Sequence, residues 1–395
     1  MFKQFFLAIF FLIYSSLTQA VKDDGKYLAT AGDCVSCHTA PGGKPFAGGL
    51  KMETPFGYLL TPNITPDINT GIGSWSKDDF YRALHDGINK KGQDLYPAMP
   101  YTSYTKVSRE DVDAIYYYLR TVEPVSNAIK VNHLDFPFNI RTSMIVWREL
   151  FFISGVFKPN PKQSAEWNRG AYLVEGLEHC SACHSPRNMM GAIKTNKEFT
   201  GAAIDGWYAL NLTSNPITGL GDWSTKDIAN YLKTGKYPGK TVALGPMEEV
   251  VHNSTRHLTE TDLLAMATYL KTLPANSSLQ SSSKKIDANK IEGARLYIDH
   301  CSGCHQPNGR GIENVIPPLA GNPVVIAPDG SNIIKVIMRG IGSRNGYIPM
   351  PSFADKLNDE EIVTIANYVR TSWGNSASAN INESLVKKIR ANPGL

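Results

Sequence analysis

No cysteine of this 395-residue chain lies outside three short motifs, although six are present. The absence of any stray cysteine means that all six need one shared explanation. Blocks of basic residues are missing too: 40 Lys and Arg against 36 Asp and Glu leave a net charge of +4, dispersed along the chain. That excludes a nucleic-acid partner, which would call for clustered basic residues. No apolar run approaches the roughly 20 residues of a membrane-spanning helix, the longest running only from Phe5 to Tyr14. Strict alternation of apolar and polar residues, the mark of strands, is scarce, which excludes a sheet-dominated fold.

What remains is a globular composition, 42% hydrophobic, enough for two or three domains of ordinary size. Residues 1–20 carry Lys3, the short apolar run and then Thr18-Gln19-Ala20, which predicts a secretory signal peptide cleaved after Ala20. The mature chain is therefore expected to be exported, and either soluble or held at a membrane by its surface or its partners.

The cysteines stand in Cys34-Val35-Ser36-Cys37-His38, Cys180-Ser181-Ala182-Cys183-His184 and Cys301-Ser302-Gly303-Cys304-His305. CxxCH is the attachment signature of c-type haem, in which both thiols add to the vinyl groups and the adjacent His ligates the iron. The spacing sets the thiols about one helical turn apart, and continuing the helix brings the His under the porphyrin plane. Disulfides would suit an exported chain but leave a His after every pair unexplained. Structural zinc wants a second pair or further His nearby, and these pairs stand more than 100 residues apart. A thioredoxin-like motif is not expected in triplicate without alternating strands and helices. Three covalently bound haem c groups are the expectation, attached at Cys34, Cys37, Cys180, Cys183, Cys301 and Cys304, with His38, His184 and His305 as axial ligands.

The same parts recur around each motif. A leading helical pattern pairs Gly25 with Tyr27, Gly170 with Tyr172 and Gly293 with Tyr297. Closing helices read "REDVDAIYYYLRT", "TETDLLAMATYLKT" and "NDEEIVTIANYVRT", with Arg120, Lys271 or Arg370 near the end, where the helix dipole favours a cation. Between them, Ser76 and Ser224 read as N-caps with Asp79 and Asp227 completing capping boxes, for helices that stop near Gly87 and Gly235, while "SNIIKVIMRG" supplies the third. The domains are read as 21–130, 164–275 and 289–375. An apolar segment at 131–163 is read as a helix packed between domains rather than a docking surface; a Ser-rich linker occupies 276–288 and a short amphipathic tail 376–395.

The sixth iron ligand decides between electron carriage and substrate chemistry. Met99, Met247 and Met350 each lie beside a proline, about 20 residues before the tyrosine of the closing helix, and are read as thioether ligands on proline-fixed loops. His85, His133, His179, His252, His257 and His300 recur at no common position and are read as surface or cap residues. Three six-coordinate irons leave no open site for chemistry, so a relay without catalytic residues is expected. "NITPDINTGIGSWS" (63–76) returns as "NLTSNPITGLGDWS" (211–224), an offset of 148 that Met99 and Met247 share. The loop is read as leading from one side of the haem toward the methionine, with Trp75 and Trp223 on the haem edge or in the core.

These features, with "EWNRGAYLVEGLEHCSACHSPRN" and "MPSFADKLNDEEIVTIANYVRTSWGN", resemble the trihaem cytochrome c subunits of bacterial membrane-bound dehydrogenases for alcohols, gluconate, sorbitol, fructose and glucose. The resemblance implies an all-α fold of three tandem class I cytochrome c domains. It also implies a catalytic flavoprotein or quinoprotein partner, sometimes a small third subunit, ubiquinone as acceptor, and peripheral association with the periplasmic face of the cytoplasmic membrane. Two other functions stand beside it: a haem enzyme, peroxidase or reductase, with a displaceable ligand, and a free-standing periplasmic electron carrier.

Overall fold

A computed structural model describes residues 24–130, 132–275, 290–343 and 347–391. The signal segment at 1–20 and the Ser-rich linker at 276–288 lie outside the described residues.

Helices begin where capping chemistry predicts. Ser76 accepts from the Asp79 amide while the Asp79 carboxylate accepts from the Ser76 amide, and helix Lys77–His85 follows. Ser224 and Asp227 repeat this for Thr225–Thr234, which ends at Gly235 in the left-handed region (φ 71°). Each box satisfies amides that the first turn leaves open. The duplicated loop before these caps also folds the same way twice. Asn63 donates to Thr70 and accepts from the Thr65 amide, as Asn211 does with Thr218 and Thr213. The amides of Gly71 and Gly73 converge on the Asp67 carbonyl, and those of Gly219 and Gly221 on the Asn215 carbonyl. A Cβ at Gly71 or Gly219 would lie 2.2 or 2.3 Å from the Thr65 or Thr213 oxygen, so the turn sterically requires glycine.

The all-α expectation needs one amendment. Lys51–Thr54, Gly57–Leu60 and His133–Leu134 form a small antiparallel sheet, with Lys51 opposite Leu60 and Gly57 opposite Leu134. Two hairpins pair Ala202–Ile204 with Trp207–Ala209, and Lys236–Tyr237 with Thr241–Val242. Strands this short give alternation too few residues to register. Helix nevertheless dominates.

The chain divides into two compact units. One holds the described residues up to Ala182 with Asn188–Ala192 and His252–Met266; the other holds Cys183–Arg187, Ile193–Val251 and the described residues from Ala267 onward.

In the first unit the helix at 24–31 crosses Arg109–Leu119, and Ala165–Tyr172 crosses the Ala265 turn of Glu260–Leu270. The crossings are tight enough that a Cβ at Gly25 would lie 2.1 Å from the Ala114 oxygen, and one at Gly170 only 1.9 Å from that of Ala265. The leading tyrosines bind the opposite repeat. Tyr27 donates to Asp262 at 2.6 Å and Tyr172 donates to Asp111, while the two hydroxyls accept from the Thr259 and Ser108 amides. Arg169 adds a bidentate pair to Asp262, both bonds 2.8 Å. The apolar 131–163 segment is covered on one face only. Its helix, Ser143–Phe151, buries Met144 and Trp147 against Tyr101 and Ala192, whereas Ile145, Val146, Leu150 and Ile153 are exposed. The expected packed helix accounts for half of it.

In the second unit Lys290–His300 crosses Asp359–Thr371 at Gly293, where a Cβ would lie 2.6 Å from that of Tyr368. Ile333, Ile334 and Ile337 of Ser331–Arg339 and Val386 and Ile389 of Glu383–Ala391 join this core. The tail therefore buries the apolar face of its helix in the protein. Among the described residues no helix is long and apolar enough to cross one.

The cations at the ends of the closing helices have a more specific task than matching the dipole. Arg120 donates to the Gly73 carbonyl, and Lys271 to those of Leu220 and Gly221 at 3.1 and 2.6 Å. Arg370, fully buried, donates to Val325 and Ala327 at 2.9 and 2.6 Å. The first two fasten the duplicated loop by its second glycine turn.

Candidate functional site

Each CxxCH contains a short helical turn: Cys34–Cys37, Ser181–His184 and Ser302–His305. The His38 amide reaches back to Cys34 at 3.0 Å and that of His305 to Cys301 at 2.9 Å, which puts the imidazole one turn past the first thiol, as the spacing predicts. All three imidazoles are then held alike. Nδ1 meets a backbone carbonyl in each: Pro62 at 2.7 Å for His38, Leu210 at 2.6 Å for His184 and Pro317 at 3.2 Å for His305. Burial lowers the pKa of all three. A neutral imidazole whose Nδ1–H is given to a carbonyl leaves the Nε2 lone pair for a metal. These acceptor carbonyls are functional groups that sequence reasoning missed. A signal existed for two of them, because Pro62 and Leu210 stand 148 residues apart, immediately before the duplicated loops.

Around the third motif the expected residues come together. Cys301, Cys304, His305 and Met350 line one predominantly apolar cavity of about 180 Å³, walled also by Ile316, Phe353 and Val242. Met350 is fixed there by a two-bond bridge to Ile341 (2.9 and 2.8 Å). At the first motif Tyr104, five residues after Met99, donates to the Gly32 carbonyl at 2.7 Å, two residues before Cys34. At the second, Ser254 donates to Glu178 at 3.1 Å, two residues before Cys180. Met247 departs from expectation in one respect. It sits in the first turn of helix Pro246–Asn253 rather than on a loop.

One histidine departs from that reading, while His300 is exposed at the end of helix Lys290–His300, as a surface or cap residue would be. His179 packs against Tyr104 in a tilted ring contact (5.3 Å between centroids, 59° between planes) with burial lowering its pKa, and the exposed His300 also borders the third cavity. The tryptophans also differ from one another: Trp223 is buried in edge contacts with Tyr231 and Tyr237, a core position, while Trp75 is half-buried and gives its carbonyl to Tyr116 at 2.8 Å.

The donor chemistry fits haem better than its competitors. Burial pushes the thiols of Cys34 and Cys301 up to about 12, which holds both in the neutral form. Cys34, Cys301 and Cys304 carry free thiols, so neither of those motifs closes a disulfide on itself. A neutral imidazole and a thioether facing an apolar cavity beside two thiols one turn apart are the groups that hold haem c.

Comparison with known proteins agrees. The cytochrome c family profile matches residues 23–123 and 291–373. The gluconate 2-dehydrogenase cytochrome c subunit of Pantoea cypripedii is 39% identical over 93% of this chain and 88% of its own length. The cytochrome c subunit of the quinone alcohol dehydrogenase of Komagataeibacter europaeus is 38% identical over 94% and 84%. A nicotinate dehydrogenase subunit of Pseudomonas putida is 40% identical over 96% of this chain, which spans 32% of that longer protein. The chain belongs to the family of electron-transferring cytochrome c subunits of dehydrogenases, which carry covalently bound haem c.

Proposed function

We propose that the chain is a three-haem electron relay, with haem c attached at Cys34 and Cys37, at Cys180 and Cys183, and at Cys301 and Cys304. His38, His184 and His305 would supply one axial ligand each, and Met99, Met247 and Met350 the other, in three tandem class I cytochrome c domains. The observation that carries this reading is the same Nδ1-to-carbonyl bond at all three histidines. When bound, each haem supplies a one-electron ferric–ferrous couple. The chain's part is to hold the imidazole in one orientation and to offer a thioether, which favours the reduced iron, in an environment poor in water.

Electrons would come from a catalytic dehydrogenase subunit, flavoprotein or quinoprotein, with or without a small third subunit, and leave to ubiquinone at the periplasmic face of the cytoplasmic membrane. The relatives' names support a dehydrogenase partner, and the exposed apolar face of Ser143–Phe151 supports peripheral attachment. Intact-mass spectrometry of the exported protein tests the count, with three haem masses expected and one lost from each Cys-pair variant. The reduced, untreated protein is expected to leave carbon monoxide unbound; rapid binding would favour a haem enzyme instead. Copurification with a dehydrogenase from detergent-solubilised membranes is expected, and recovery of the chain alone without detergent would favour a free-standing carrier.

A further inference from the structure

We propose that Lys335 of helix Ser331–Arg339 is a positioning residue for Met247, acting through the indole of Trp207; this rests on the reading of Met247 as an iron ligand. Lys335 is 1% exposed. Its Nζ donates to the Asp205 carbonyl at 3.0 Å and stands 5.0 Å from the centroid of the Trp207 ring. Burial first, and then repulsion from Arg339, bring its pKa down to about 8 against the attraction of Asp205 and Asp329, which leaves it mostly charged at neutral pH. The same indole lies against Gly245, where a Cβ would be 2.5 Å from Cε2 and 2.8 Å from Nε1. Gly245 also holds a φ of 56°, so the position needs glycine on two counts. Met247 follows two residues later.

The helix that carries Lys335 is fixed in register. Asn332 exchanges two bonds with the Tyr208 backbone, at 2.8 and 3.0 Å, as a neighbouring strand would. One indole is thus held between a cation from the third repeat and a glycine from the second. Packing alone does not explain a lysine here, because burying an ammonium costs more than burying a methionine of similar length. A cation does two things that methionine would not. It grips the π face of the ring, which steadies the backbone at Gly245, and it puts positive charge beside the Gly245–Met247 segment, which favours the reduced iron.

The test compares the haem-loaded protein with Lys335→Met, Lys335→Arg and Met247→Ala variants. The iron–methionine absorption band and an optical redox titration are the readouts. Met247→Ala is expected to remove one of three contributions to the band, which identifies the second haem. Lys335→Met should then lower the potential of that haem and let its methionine be displaced at lower pH, with the other two unmoved, and Lys335→Arg should restore both. Lys335→Met curves that superimpose on the parent overturn the proposal alone. If Met247→Ala leaves band and potentials intact, the ligand reading falls and the proposal falls with it. Lys335→Met fills the same space without a charge, so folding should survive; Lys335→Arg separates charge from packing in any case.

Discussion

Glu178 is 7% exposed, accepts a bond from Ser254 and faces the Asp33 carboxylate. Burial first, and then repulsion from Asp33, hold its carboxyl well above the usual range. Between its unfolded and folded pKa values the folded protein therefore binds the proton more tightly than the unfolded chain does. Stability must fall as pH rises through that window. Glu178→Gln keeps the acceptor for Ser254 and removes the charge, so melting temperatures of parent and variant should agree near about pH 4 and diverge toward about pH 8 in the variant's favour. Arg370 poses the opposite problem. Its guanidinium satisfies carbonyls of Val325 and Ala327, and Arg370→Met would leave them without it in the core, at a cost of about 3 kcal/mol in denaturant unfolding. Neither role was legible in sequence. The Arg370 partners lie 45 and 43 residues away, where no periodicity points, so the residue read only as a favourable charge at a helix end.

At the scale of elements, the parts that declared themselves are those whose partners are close in sequence. The capping boxes at Ser76 and Ser224 and the helical turn of each CxxCH close within a few residues and fold as read. The short strands, the exposed face of Ser143–Phe151 and the docking of the tail depend on distant contacts, and sequence reading missed them. The leading glycines fall between these cases: their recurrence was visible, their reason was not. That reason predicts a ranking. Gly170→Ala drives a methyl against a backbone oxygen at 1.9 Å, whereas Gly293→Ala meets the Tyr368 side chain at 2.6 Å. Both should destabilise, the second by about 1–3 kcal/mol and the first by more, as denaturant unfolding of the haem-loaded variants would show.

At the scale of the molecule, the candidate site was more legible than the architecture around it. Nine of the twelve candidate positions stand together in the three CxxCH motifs, where haem attachment would need adjacent residues, and the three methionines were proposed only from their recurrence beside prolines, while the way one repeat leans on another is written in single side chains such as Asp262. The exchange of tyrosines between the first two repeats is the clearest case. Tyr27→Phe and Tyr172→Phe should each cost about 1–2 kcal/mol, and Asp262→Asn more than Asp111→Asn because Arg169 also loses its carboxylate. Unfolding of the four variants checks the order. The two exchanged bonds are alike in geometry and unlike in history. As the chain is made from its N-terminus, Tyr172 finds Asp111 already present, 61 residues behind it, while Tyr27 must wait for a carboxylate 235 residues ahead. The first repeat therefore cannot finish its own packing until the second is nearly complete, and haem attached before then at the proposed Cys34 and Cys37 pair would enter a repeat still waiting for its last contact.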